Sequence, residues 1–156
     1  MTRNEIKIAA PPEFVFPYLT EGDKIAQWSR DDRLKIRFPR GKEARVGMQV
    51  HFTIKLPTDP SWLVEIRALD APHEMRTDIT EGIFRGTISF LLAETKASGT
   101  RLVHEAVIEP QGAFMRYAWK KIGHQIHRNK MEEVMGRIKN LVEEEWRRSG
   151  QAAPSG

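Results

Sequence analysis

Apolar and polar positions alternate along most of this chain, and the period of that alternation changes at both ends. From Asn4 to Ala9, Ile6 and Ile8 oppose Glu5 and Lys7, which predicts a first strand. Ala10-Pro11-Pro12-Glu13 then switches the chain to a helix whose apolar face is Phe14, Val15, Tyr18 and Leu19. Pro17 limits or bends that helix, and Asp23 is placed to cap a second short one ending at Trp28. Period two returns at Leu34, Ile36 and Phe38. It is cleanest from Val46 through Leu56, which predicts a strand of roughly 35 Å. It continues through Trp62–Ile66, Met75–Ile79, Phe84–Leu92 and Thr100–Ile108, with short turns at Pro57-Thr-Asp-Pro, Ala71-Pro-His-Glu, Glu81-Gly and Lys96-Ala-Ser-Gly.

The last stretch, Ala113 to Arg148, carries the longest helical pattern. At ~1.5 Å per residue it reaches roughly 50 Å, enough to cross a small domain. Met131, Val134, Ile138, Leu141 and Val142 form its apolar face. Followed upstream, that face becomes His127, His124, Gly123 and Lys120, while Trp119, Ile122 and Ile126 lie on a neighbouring face. The helix therefore kinks near Gly123–Lys130 or changes what it packs on. The predicted order is strand, two short helices, six strands and a long helix. Short turns make the strands antiparallel neighbours, and only the final helix is long enough to cover their apolar face. The expectation is an α+β fold, a curved seven-stranded sheet wrapped around that helix, with a hollow left between them.

Composition narrows the reading. With 156 residues the chain is predicted to be one domain, spanning 1–148, with a disordered tail at 149–156. Cysteine is absent, which fits a reducing, cytoplasmic setting. Met1-Thr-Arg-Asn-Glu leads directly into strand, predicting no signal peptide, and no apolar run approaches a membrane span. The net charge of +4 is read as acids and bases interleaved throughout, with no basic stripe for nucleic acid.

Ile8-Ala-Ala-Pro-Pro-Glu-Phe-Val-Phe, Trp28, Gly47, Trp62 before the turn at Pro72, Gly99-Thr-Arg-Leu and Glu109-Pro-Gln-Gly, followed by the amphipathic helix, carry a resemblance. Over residues ~4 to 146 the chain resembles the START/Bet v 1-like (SRPBCC) superfamily, closest to its polyketide cyclase/dehydrase and lipid-transport branch. The resemblance implies a helix-grip fold around a ligand cavity. It supplies no common catalytic motif, since such members include carriers, aromatic cyclases, lipid-transfer domains, quinone-binding proteins and chaperone regulators.

The candidate residues follow from the faces. His104, between Leu102 and Ala106, is expected to face the cavity, and it is the best candidate for proton transfer if the protein is catalytic. Phe52, Trp62, Phe84, Phe90 and Trp119 would line an apolar pocket, roofed by Gly123 and His127, or would simply be core. His124 and His127 have a spacing that two metal ligands share, but no carboxylate orients them and Lys120 opposes a cation, so no metal or other cofactor is expected. Arg37, Arg40, Lys42 and Arg45 read as a solvated sheet edge, or as the rim of a portal for an anion. The Gly82–Gly86 segment reads as a bend in the sheet. The leading expectation is a binder of a hydrophobic or lipid-like small molecule, with neither nucleic acid nor integral membrane association and room for a homodimer. The alternatives are a cyclase or dehydratase using an inward histidine, and a protein-interaction module such as a chaperone regulator.

Overall fold

The computed structural model describes residues 1–150; residues 151–156, most of the stretch expected to be a disordered tail, lie outside the described residues. Seven strands form one antiparallel sheet in the order β1-β7-β6-β5-β4-β3-β2. They are β1 Thr2–Ile8, β2 Leu34–Arg37, β3 Gln49–Ile54, β4 Ser61–Asp70, β5 Glu74–Gly82, β6 Phe84–Glu94 and β7 Thr100–Pro110. Helices α1 (Pro12–Thr20) and α2 (Gly22–Trp28) follow β1. The chain ends in one continuous helical rod, made of α3 (Ala113–Ala118), a π turn (Trp119–Gly123) and α4 (His124–Arg148). This is the helix-grip architecture.

The apolar positions do what their period requires. Ile8, Leu102, Leu92, Phe90, Met75, Ile66 and Val50 point to one face of the sheet and meet Val134, Met135, Ile138 and Val142 of α4. Each of these four helix side chains is almost wholly removed from solvent, worth roughly 1.5–3 kcal/mol apiece. Polar staples then fix this half of the rod. Glu143 Oε2 accepts from the Ala9 N–H and from Lys139 Nζ, both at 2.7 Å, while Lys139 also donates to the Lys7 carbonyl at 2.8 Å. Arg137 donates to the Arg30 carbonyl at 2.9 Å, and Lys130 pairs with Asp31 at 2.5 Å. Tyr18 donates to Glu145 at 2.5 Å, and burial followed by that carboxylate raises its pKa. Trp28 ties α2 to α1 by donating from Nε1 to the Tyr18 carbonyl at 2.7 Å.

Two local expectations need correction. The strand expected over residues 46–56 is only the six-residue β3. Gly47 turns the chain at φ +94°, and the flanking Val46 and Leu56 are exposed, so apolar alternation here runs on into turn residues. Asp23 does not cap α2, which starts after Glu21 without any side-chain cap; Asp23 pairs instead with Lys42 at 3.0 Å. At the far end of the sheet, β4 and β5 shift register between Leu63 and Val64. A Cβ on Gly82 or Gly86 would lie 2.0 Å from the Ser61 carbonyl or 1.8 Å from that of Val107. These two glycines let strands cross closely at the bend that sets Phe84 opposite Pro110.

Candidate functional site

Where the sheet bends, side chains from four strands and the rod meet in an unbroken file of rings. Phe52 on β3 stacks on Trp62 of β4 at 5.3 Å, their backbones being direct cross-strand partners. Trp62 meets Phe84 at 5.4 Å, and Phe84 meets Trp119 of the π turn at 5.4 Å. Trp119 reaches His127 at 5.6 Å, His127 reaches His104 at 6.4 Å, and His104 reaches Phe90 at 5.1 Å. All seven aromatic and histidine positions singled out in the sequence for ligand contact stand in this file. Gly123 sits beneath it, where a Cβ would approach Trp119 Cε3 to 2.9 Å, so its missing side chain gives the indole its seat. His124, by contrast, is exposed, with only its ring edge near Trp119 at 6.4 Å.

Beside the rings lies a polar seat. The parity that points Ile6 and Ile8 inward also turns Thr2 and Asn4 inward, and Asn4 is the cross-strand partner of His104. Thr2 Oγ1, Asn4 Oδ1, His104 Nδ1 and His127 Nδ1 are all buried and all lack a hydrogen-bond partner among the described residues. Leaving one such group unpaired costs about 1–3 kcal/mol, so four together are an expensive arrangement for a core whose only task is packing. His104 is 1 % exposed, and burial followed by the neighbouring His127 lowers its pKa to about 4. Burial, then His124, lowers that of His127 too. Near neutral pH the seat is therefore uncharged, with Asn4 Oδ1 an acceptor and each imidazole offering one donor and one acceptor.

The rod covers this region loosely. Neither α3 nor the π turn has a buried residue. Among the described residues, no side-chain hydrogen bond or ion pair ties 113–129 to the sheet, in contrast to the stapled half that follows. The π turn also resolves the phase conflict in the sequence. The apolar stripe facing the sheet at Val134–Val142 gives way upstream to His127, and the wide turn, which takes up one extra residue, brings Trp119 onto that same side.

Two concavities stand out, and neither is a closed chamber beneath the rod. An open groove of about 500 Å³ runs between Pro17, Thr20, Lys42 and Leu69. A notch of about 370 Å³ lies between β1 and α4, lined by Asn4, Ile6, Arg128, Glu132 and Met135. Asn4 belongs to both the notch and the polar seat. The basic hairpin is locally paired: Arg40 with Glu65 at 3.5 Å, and Arg37 with His51 Nδ1 at 3.3 Å.

Sequence reasoning missed Thr2 and Asn4 because polar residues on an amphipathic strand are ordinarily outward. The signal was present, since they share the parity of Ile6 and Ile8.

Comparisons place these features in context. The family model described as activator of Hsp90 ATPase homolog 1-like protein matches residues 9–143. No curated protein matches the chain in sequence. Solved structures match across nearly the whole chain. TTHA0849 from Thermus thermophilus is 18 % identical with a TM-score of 0.71, covering 90 % of this chain and 95 % of that one. A protein from Arthrobacter aurescens, solved in solution, is 13 % identical with a TM-score of 0.69, covering 91 % and 85 %. Ara h 8.0201 is 16 % identical with a TM-score of 0.64, covering 90 % and 95 %.

Proposed function

The chain belongs to the activator of Hsp90 ATPase homolog 1-like family, within the START/Bet v 1-like superfamily, and on that premise we propose that it binds an apolar small molecule bearing a neutral polar group. Helix-grip folds of this kind are consistent with ligand binding. The observation that carries the reading is the cluster of four unpaired buried polar atoms lying against a file of aromatic rings. Apolar walls with a few convergent polar groups are the usual makeup of a small-molecule site. Since the rings touch one another, the ligand enters by parting them, and the loosely held 113–123 segment is the part that lifts. Phe52, Trp62, Phe84, Phe90 and Trp119 then form the wall, while Asn4, His104 and His127 orient the polar group.

An uncharged seat favours a hydroxyl or carbonyl over a carboxylate, because a carboxylate needs a cation or several donors to offset its desolvation. Among the described residues the groups that face His104 are Phe90, His127 and the Asn4 position, with no acid paired to it. That favours binding over the cyclase or dehydratase alternative, which calls for a proton donor and acceptor together.

The test is titration of the intact chain with phenols, quinones, long-chain alcohols and fatty acids, reading tryptophan emission and the shift in melting temperature. Neutral hydroxylated or quinone ligands are expected to raise the melting temperature and to quench Trp62 and Trp119, with Trp119→Phe losing part of the signal. A response to none of these classes, or an equal response from His104→Leu, refutes the site.

A further inference from the structure

Charge is not spread evenly over this molecule. Between Glu109 and Glu132 the chain has no acidic residue and five basic ones, Arg116, Lys120, Lys121, Arg128 and Lys130. The remainder carries twenty basic against twenty-one acidic residues, so the entire positive excess of the protein resides in this one segment. Lys130 is spoken for by Asp31. The other four are exposed and pair with no acid among the described residues.

The same segment holds four of the large exposed apolar side chains: Phe114 at 79 %, Tyr117 at 63 %, Ile122 at 62 % and Ile126 at 60 %. Regular α-helix alone would carry Ile122 and Ile126 around the rod, away from Phe114. The wide π turn re-phases α3 relative to α4, so all four are exposed while Trp119 of the turn and His127 of α4 look inward. The result is an apolar outer stripe bordered by cations, at the end of the rod that has no staples to the sheet.

We propose that residues 113–126 dock the protein on the surface of an anionic lipid bilayer, with Phe114, Tyr117, Ile122 and Ile126 entering the headgroup region and Arg116, Lys120 and Lys121 facing lipid phosphates. A helix that joins an apolar stripe to a purely basic border has the makeup of an interfacial helix, and aromatic rings suit that depth. The complementarity is one of sign and of shape: a flat, negative, partly apolar surface satisfies the cations and the exposed side chains together, over the whole length of the segment. Among the described residues no helix is long and apolar enough to cross a membrane, so the contact is peripheral. The test of this docking needs no ligand in the ring file, so its failure and that of the proposed ligand site are distinguishable.

The experiment is co-sedimentation of the intact chain with phosphatidylcholine vesicles, with and without phosphatidylserine, at low and near-physiological salt. Binding is expected only with phosphatidylserine and is expected to weaken as salt rises. Each basic residue near an anionic leaflet is worth about fivefold in partitioning, so Arg116→Gln/Lys120→Gln/Lys121→Gln should bind on the order of a hundredfold more weakly. Lys35→Gln/Arg76→Gln/Lys96→Gln removes the same charge from other exposed surfaces and should bind like the unaltered protein. Phe114→Ser/Ile122→Ser should lose most binding with every charge intact. All substituted positions are exposed, so folding is not at stake. No sedimentation with phosphatidylserine, or equal losses in the two charge triples, overturns the proposal. So does binding that survives Phe114→Ser/Ile122→Ser, which would mean electrostatic adsorption alone. Capture by polyglutamate with no affinity for vesicles would also overturn it and assign the face to an acidic protein.

Discussion

The burial of His104 makes a quantitative prediction about acid stability. In the folded protein its pKa is lowered from an ordinary 6.5 to about 4, because a protonated ring would be cut off from water and would face His127. In the unfolded chain the ring takes a proton near pH 6.5. Between these values the unfolded state therefore binds more protons than the folded one, so stability falls as pH falls. The contribution is fully present above about pH 6.5 and is largely lost at about pH 4. At about 1.4 kcal/mol per pH unit, His104 removes about 2.5 kcal/mol between pH 7.5 and 4.5. Other groups also lower acid stability, among them Glu143 and Asp31, whose partners hold their carboxyls below the ordinary range. They are common to a His104→Gln variant and cancel in the comparison. Urea unfolding followed by tryptophan emission, at half-unit steps of pH, should therefore show the gap between the native protein and His104→Gln narrowing or reversing by about 2.5 kcal/mol across that range. A gap that stays constant with pH refutes the reasoning, because it would mean that the folded protein accommodates the charged imidazole.

Two further outcomes follow from the same region. Asn4→Leu removes a buried acceptor that no other described residue satisfies, so it should leave the free protein unchanged or stabilise it by about 1–3 kcal/mol while weakening ligand binding; chemical denaturation of the free form checks the sign, and an ordinary core polar residue would lose stability instead. Gly123→Ala gains up to about 1 kcal/mol of helix propensity but drives a methyl to 2.9 Å from Trp119 Cε3, so the indole should move off Phe84 and His127; a red-shifted emission absent from Gly123→Ala/Trp119→Phe is the expected result, and unchanged emission with the full stabilisation contradicts it.

The fold was legible because its determinants are local and periodic. Alternation identified the strands and turn residues separated them, and with only one helix long enough to cover the sheet, the architecture followed. The same logic pointed His104 toward the cavity side, from its parity with Leu102 and Ala106, and all three are buried. What alternation cannot report is where a backbone leaves the extended region. Val46 and Leu56 keep the parity of β3 while Gly47 and the hairpin have already turned away. Parity also outranks residue type. Thr2 and Asn4 look like surface residues and are inside, because Ile6 and Ile8 fix which side of β1 faces the rod.

The rod teaches the complementary lesson. Its pattern showed two apolar faces out of phase, and the sequence left open whether the helix bends or changes partner. A π turn gives a third answer, since one additional residue in a single turn rotates everything upstream without breaking the helix. α4 alone turns His127 inward and Ile126 outward; the rotation brings Trp119 onto the side of His127 and Phe114 and Tyr117 onto the outer side, so Phe114, Tyr117, Ile122 and Ile126 are left in water amid uncompensated cations. Averaging charge over the chain hid this, because a +4 total reads as mild until it is located. A lid that is apolar on both sides and tied down at only one end costs stability unless something meets each face. That cost is why ligand binding beneath and bilayer contact above are physically coupled hypotheses, although each is tested alone: whatever draws the outer stripe away from the sheet also opens the rings.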